Sequence, residues 1–219
     1  MNRMVADFLS LAVIAATVIT TLVLYPDLPD PMPTHWNAAG QVDGYMSRPW
    51  GVSILPFAAI LIFVLLKFLP KLSRKGYDKE VIGPSLSLLQ LVLVIFMSGV
   101  AILVLMEAKG HDTGMDRLIP GGIGVLFLVI GSQFGKVQRN YLLGIRTPWT
   151  LASDDTWNRT HKVGSKLFML AGLVLLASSL IEPPLVWTLP IVFALLLFPV
   201  LYSYFIHRKA RQTGIDSGA

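Results

Sequence analysis

The sequence predicts an all-α integral membrane protein, a bundle of six transmembrane helices forming a single membrane domain over residues 1–219. Three observations predict this class. Of the 219 residues, 54% are hydrophobic and only 14% are charged, whereas a soluble domain has about 25% charged residues. Six long runs contain no charged residue, and Lys and Arg fall mostly on one side of the resulting topology.

The uncharged runs have the length of membrane spans. They cover 18 positions at 8–25, 49–66 and 118–135, 23 at 84–106 and 22 at 185–206, and about 20 helical residues cross the hydrocarbon core. The run at 167–181 has only 15 positions, so its helix is expected to begin upstream, with the stem of Lys166 reaching the interface. The predicted spans are about 7–25, 50–69, 84–106, 118–135, 164–182 and 185–206.

The first span is predicted to be an uncleaved helix. Its basic start "MNR" is typical of a signal peptide, but its apolar run is longer than a usual signal sequence. With the N-terminus inside, fifteen of the 18 Lys and Arg residues lie inside, and only Arg48, Lys109 and Arg117 lie outside. This asymmetry predicts cytoplasmic N- and C-termini, and it accounts for the net charge of +5 without nucleic-acid binding.

Residues 26–49 form the predicted extracellular loop. Its first part is stiffened by four prolines and is expected to be an extended arm: Pro26, Pro29, Pro31 and Pro33. "NAAG" at 37–40 and "DG" at 43–44 are turn signals. These features predict a short hairpin or paired-turn cap, which either recognises a ligand or only caps helix ends. A metal site of His35, Asp43 and Asp30 is disfavoured by the spacing of these residues.

Residues 136–165 form the predicted cytoplasmic loop. Gly144 permits a turn, and Pro148 disfavours helical backbone at Thr147. Ser153 is a predicted N-cap, because two acidic residues follow it in what would be the first helical turn. The helix that starts there is expected to continue into the fifth span.

One face of that helix carries Trp157, His161, Gly164 and Phe168, which recur at helical spacing. Two interpretations are open: the stripe packs against other spans, or it forms a functional site. A single histidine among aromatic residues is more often a hydrogen-bonded structural group than a catalytic base.

Several classes of protein are disfavoured by what the sequence lacks. No ionisable residue falls in the middle of a span, which counts against ion-coupled transporters. No metalloprotease, nucleophile-elbow or phosphate-loop motif occurs, and there is no cysteine. We therefore expect no enzyme activity, no cofactor and no metal.

The glycines of span four predict close helix packing, and the order of the loops suggests an internal repeat. Four glycines are expected to let span four approach its neighbours closely: Gly121, Gly122, Gly124 and Gly131. Each half of the chain has three spans and a long loop after its first span, which suggests a degenerate inverted repeat of residues 5–106 and 118–206.

The two long loops resemble a known family. "LPDPMPTHWNAAGQVDGYMSRPWG" is similar to the DUF1648 segment, and "NYLLGIRTPWTLASDDTWNRTHKVGSKLF" is similar to the signature of the SdpI family of bacterial membrane proteins. The resemblance implies location in the bacterial plasma membrane among membrane lipids. It also implies immunity against, or sensing of, a secreted peptide toxin, and signalling by tethering a cytoplasmic repressor.

The resemblance further implies two sets of site residues. The outer set would sense the peptide: His35, Asn37, Gly40, Asp43 and Gly44. The inner set would form the face that a cytoplasmic partner contacts: Asn140, Gly144, Arg146, Thr147, Pro148, Trp149, Trp157, Thr160 and His161. Two alternatives are a small transporter or membrane enzyme with its site in residues 139–161, and an accessory protein whose loops only cap helices.

Overall fold

The computed structural model describes residues 1–37, 41–72, 79–181 and 185–212. These residues form seven α-helices and one antiparallel two-stranded sheet. The elements in chain order are α1 (Arg3–Leu24), β1 (Met32–Trp36), β2 (Val42–Met46), α2 (Arg48–Leu72), α3 (Lys79–Ala108), α4 (Met115–Phe134), α5 (Pro148–Ala152), α6 (Asp154–Ile181) and α7 (Leu185–Gln212).

Six of the described helices, all except α5, are long and apolar enough to cross a membrane. This confirms the predicted class, an all-α multi-span membrane protein. The weakest predicted span belongs to α6, which has 28 residues because it begins at Asp154. Ser153 caps its start, since the Ser153 hydroxyl accepts a hydrogen bond from the Thr156 amide at 3.4 Å.

The chain divides into two compact units. The first unit comprises Met1–Phe68 and Ser87–Gly122. Its helix α1 buries Ala6, Ser10, Ile14, Thr17 and Thr21, which recur every three or four residues. The opposite side of α1 exposes large apolar side chains such as Phe8 and Leu22. A helix that is apolar on its outer side as well as its packed side suits a hydrocarbon environment.

The second unit comprises Leu69–Leu86 and Ile123–Ala219. In it α4 and α6 approach closely at Gly124 and Gly172, where a Cβ on Gly172 would lie 2.6 Å from the Gly124 carbonyl oxygen. A Cβ on Gly131 would lie 2.9 Å from the Ser165 carbonyl oxygen. The close packing predicted for the glycines of span four is thus present at Gly124 and Gly131. The inverted repeat stays a prediction, which superposition of residues 5–106 on 118–206 would test.

Gly172→Ala is expected to destabilise the protein by about 1–3 kcal/mol, because the added methyl group overlaps the backbone of α4. The matched control is Gly99→Ala in α3, where an added Cβ meets no atom within 4 Å. Alanine favours a helix over glycine by up to about 1 kcal/mol, so the control should be neutral or stabilising. Thermal unfolding in detergent measures both variants, and equal shifts would argue against the close contact.

Candidate functional site

The hairpin segment, residues 25–51, contains the hairpin predicted from the sequence. Strands β1 and β2 pair antiparallel, with Met32 opposite Met46 and Trp36 opposite Val42. Asn37 joins the strand ends: its amide donates to the Gln41 carbonyl at 2.9 Å, and its side-chain oxygen accepts from the Gln41 amide at 3.0 Å. Gly40, a predicted site residue, lies outside the described residues.

Two details of this segment differ from the sequence prediction. Gly44 lies within β2 opposite His35 and is not in a turn. A Cβ at Gly44 would lie 2.8 Å from the His35 Cβ, so the absence of a side chain here permits close strand pairing. The proline-rich arm is not extended throughout, because Tyr25–Asp27 form a single 3₁₀ turn. The fixed φ of Pro26, the second residue of this turn, suits a helical turn as well as an extended chain.

His35 and Asp43 form an exposed pair on the hairpin. The His35 Nδ1 contacts the Asp43 Oδ1, and their side chains are 71% and 44% exposed. Asp30, the third residue of the disfavoured metal hypothesis, accepts a hydrogen bond from the Arg48 amide at 3.1 Å. The hairpin therefore presents an imidazole and a carboxylate to its surroundings, and exposed polar groups of this kind are available for contact with a ligand.

Arg48 anchors the hairpin segment, a role that is not predicted from the sequence. Its guanidinium donates to the Leu28 carbonyl at 3.2 Å and lies over the Tyr25 ring, 5.0 Å from the centroid. Met32 is fully buried in a cluster with Leu28 and Val52. The base of the hairpin is thus held on α2.

A cavity of about 590 Å³ lies beside the hairpin in the first unit. Trp36 lines it together with the end of α3, the segment that joins α3 to α4 and the first turn of α4. Three acidic residues and one arginine contribute to this lining: Glu107, Asp112, Asp116 and Arg117. The Glu107 carboxylate accepts hydrogen bonds from the Thr113 amide and hydroxyl at 2.9 and 2.7 Å, which orders the joining segment. These residues follow no spacing that would have identified them in the sequence.

The signature segment, residues 136–165, is organised by the side chain of Asn140, which is almost fully buried. Its oxygen accepts from the amides of Leu142 and Leu143 at 2.7 and 2.8 Å. Its nitrogen donates to the carbonyls of Gln138 and Leu143 at 2.7 and 3.1 Å. All the hydrogen-bonding capacity of the amide is directed to local backbone, so Asn140 shapes a tight loop.

His161 connects this loop to α6. Its Nε2 accepts from the Ile145 amide at 2.9 Å, and its Nδ1 donates to the Trp157 carbonyl at 2.8 Å. A ring nitrogen that accepts from an amide carries no proton, so this geometry assigns the neutral Nδ1–H tautomer. Because both nitrogens are engaged with backbone, the arrangement favours a structural role for His161 over a catalytic one.

Gly144 and Trp157 pack directly on His161. The Trp157 ring stacks on the imidazole, with 4.0 Å between centroids, and its Nε1 donates to the Val137 carbonyl at 2.8 Å. Gly144 has φ of +119°, and a Cβ there would lie 2.4 Å from His161 Nε2. The predicted stripe on α6 is therefore a packing surface, and Gly164 and Phe168 extend it against Phe134.

A short helix, α5, was not predicted and positions three further signature residues. Thr147 caps it: the Thr147 hydroxyl accepts from the Thr150 amide at 3.1 Å, and the Thr150 hydroxyl accepts from the Thr147 amide at 2.8 Å. Pro148 occupies its first position, where no amide hydrogen is needed. The Trp149 indole nitrogen donates to the Ser203 hydroxyl in α7, a contact across 54 positions that no local pattern indicates.

Of the nine predicted inner site residues, five are buried, two are exposed, and Gly144 and Trp149 are half-buried. Five are buried and shape the segment or α6: Asn140, Thr147, Trp157, Thr160 and His161. Arg146 and Pro148 are exposed, and the Arg146 guanidinium donates to the Tyr141 carbonyl. A partner that contacts this segment would therefore meet Arg146, Pro148 and the exposed ring of Tyr141, on a surface whose shape the buried group sets.

Comparison with known proteins gives two family matches and one similar curated protein. The SdpI/YfhL protein family matches residues 136–203, which include the signature segment and extend into α7. The Domain of unknown function DUF1648 matches residues 12–60, which include the hairpin segment. The Immunity protein SdpI of Bacillus subtilis (strain 168) is 23% identical over 205 residues, which are 93% of this chain and 96% of that protein.

No solved structure matches the chain. The similarity to the Bacillus subtilis protein covers nearly all of both sequences, and in this chain the DUF1648 match precedes the SdpI/YfhL match. This multi-span membrane protein is similar to the SdpI/YfhL family over residues 136–203 and carries a DUF1648 segment before that match.

Proposed function

We propose that this protein is an immunity protein of the bacterial plasma membrane, protecting the cell against a secreted peptide toxin. One observation carries the proposal: the similarity to the Bacillus subtilis Immunity protein SdpI runs over 93% of the chain. The proposed orientation has both termini in the cytoplasm, the hairpin segment outside and the signature segment inside. The 15-to-3 distribution of Lys and Arg supports this orientation.

The hairpin segment is the proposed surface for the peptide. The exposed His35 and Asp43 pair and the cavity beside Trp36 support this assignment. The acidic groups that line the cavity suit a peptide with basic residues, because opposite charges favour encounter and orientation. Leu28 and Met32 pack in a buried cluster at the base of the hairpin, which would limit the ordering entropy lost on binding.

The signature segment is the proposed cytoplasmic face that holds a repressor when toxin is present. In a two-state description, the peptide favours one arrangement of the helices, and the exposed Arg146 surface is presented in that arrangement. The engagement of both His161 nitrogens with backbone supports a role in shape and not in turnover of a substrate.

His35→Ala is expected to remove protection while leaving the fold unchanged, because the His35 ring is exposed and pairs with Asp43, and alanine keeps the Cβ that lies beside Gly44. The test uses toxin-sensitive bacteria that express the full chain and are challenged with the family's peptide toxin. Survival and membrane potential, followed with a dye, are the two measurements. Cells with the unchanged chain should keep their potential, and cells with His35→Ala should lose it.

Arg146→Ala separates immunity from signalling in the same cells. It is expected to preserve the membrane potential and to abolish crosslinking of a cytoplasmic protein to the signature segment. Lys136→Ala, which removes another exposed cation from that segment, is the matched control and should retain both properties. Absence of protection by the unchanged chain, at a verified level in the membrane, would contradict immunity to that toxin.

A further inference from the structure

A groove of about 630 Å³ lies between α5 and the end of α7, within the second unit. Trp149 lines it from α5, and Tyr204, Arg208 and Arg211 line it from α7. The two arginines are exposed and three positions apart, which places them on neighbouring turns of one helix face. None of the described residues that line the groove is acidic, so its charge is suited to an anion.

Guanidinium groups have the geometry of a phosphate ligand. Each presents a planar set of N–H donors that can bind two phosphate oxygens, and the group stays charged at any physiological pH. Two such groups on one face favour a phosphate or phosphodiester over a carboxylate, because a phosphate offers the two guanidinium groups more acceptor oxygens. The chemistry of the groove thus indicates a phosphate-bearing ligand.

The position of the groove along α7 indicates which kind of molecule carries that phosphate. The uncharged stretch of α7 ends at Ile206, so the groove lies where the apolar part of the helix meets its basic end. Trp149 and Tyr204 pack edge to face, 5.3 Å between centroids, at this boundary. Tryptophan and tyrosine at the end of a span are typical of the headgroup level of a bilayer.

Apolar side chains continue from the groove toward the middle of the membrane span. Leu201 and Leu197 lie three and seven positions before Tyr204, on the same face of α7. Both are more than half exposed, at 62% and 58%. A ligand whose phosphate is held by the arginines could therefore lay a hydrocarbon chain along this face.

We propose that the groove binds an anionic glycerophospholipid. Arg208 and Arg211 hold the headgroup phosphate, Trp149 and Tyr204 flank the glycerol region, and an acyl chain follows Leu201 and Leu197. Basic pockets beside transmembrane helices bind anionic lipid headgroups by this combination of charge and apolar contact. The inference is independent of the proposed immunity and of the orientation, because either side of a bilayer provides such an interface.

Native mass spectrometry of the full chain in detergent tests the proposal by counting retained lipids. The probes are phosphatidylglycerol and phosphatidylcholine with identical acyl chains. The unchanged chain should retain phosphatidylglycerol preferentially. The double variant Arg208→Gln/Arg211→Gln should bind it at least about tenfold more weakly, because both cations that face the headgroup phosphate are removed. The double variant Lys162→Gln/Lys166→Gln removes the same charge from exposed positions on α6 that do not line the groove, and it should bind normally.

A second double variant keeps the test decisive if the glutamine variant does not fold. Arg208→Lys/Arg211→Lys retains the charge but loses the bidentate hydrogen bonding of the guanidinium groups, so its affinity for phosphatidylglycerol should be intermediate. Equal retention of phosphatidylcholine, or equal loss in the Lys162/Lys166 control, would overturn the site. Saturation of the groove by soluble glycerol 1-phosphate at the concentration that suffices for the lipid would overturn the lipid assignment.

Discussion

Gly144→Ala is expected to lower the free energy of unfolding by at least about 3 kcal/mol, combining backbone strain and overpacking. Gly144 has φ of +119°, in a region that L-residues rarely adopt. The new methyl group would lie 2.4 Å from His161 Nε2 and 3.0 Å from the Trp157 ring. Both rings are buried, so neither can move away without disturbing the hydrogen bonds of His161 to Ile145 and Trp157.

Two other glycines separate strain from steric overlap. Gly110 also has positive φ, +85°, but a Cβ there meets no atom within 4 Å. Gly110→Ala should therefore show strain alone, about 1–3 kcal/mol. Gly135 has neither feature, and Gly135→Ala should be close to neutral. Denaturant or thermal unfolding in detergent measures all three, and a loss at Gly144 no larger than that at Gly110 would contradict the contact with His161.

Trp157→Ala is expected to cost about 3–5 kcal/mol, the range for deleting a buried aromatic side chain. Trp157 is fully buried, stacks on His161 and donates to the Val137 carbonyl. Its removal leaves a cavity and an unpaired buried carbonyl, and it also frees the imidazole from its stacking partner. We expect the protein to reach the membrane in reduced amount and to protect cells poorly for that reason.

Two further tryptophan variants make this prediction specific. Trp157→Phe keeps most of the bulk but removes the donor to Val137, so its cost should be smaller, about 1–3 kcal/mol. Trp187→Ala removes a tryptophan that is 70% exposed on α7 and should change stability little. Equal destabilisation by Trp157→Ala and Trp187→Ala would show that Trp157 is not a buried packing residue.

These variants also distinguish stability from function. Gly144→Ala and Trp157→Ala should reduce protection in proportion to the amount of folded protein. His35→Ala should reduce protection at an unchanged amount, because His35 is exposed on the hairpin. Measuring membrane abundance together with protection therefore separates residues that maintain the signature segment from residues that contact the peptide.

The sequence by itself determined the class of the fold and several local features. Six apolar runs predicted six long helices, since the length of a hydrophobic run is a local property that the bilayer thickness makes decisive. Ser153 marked the start of α6 because an N-cap needs only its own side chain and the amides that follow. The stripe of Trp157, His161 and Gly164 was visible because helical periodicity places these residues on one face.

Only the tertiary structure decided what these residues contact. The bond from the Ile145 amide to His161, the anchoring of the hairpin by Arg48 and the contact of Trp149 with Ser203 join positions 16 or more residues apart. Gly44 was expected in a turn and lies in a strand, because its small size is used for close approach to His35. The type of a residue limits the interactions that it can make. Its neighbours in space determine which of these interactions form, and a single sequence does not give the distances to those neighbours.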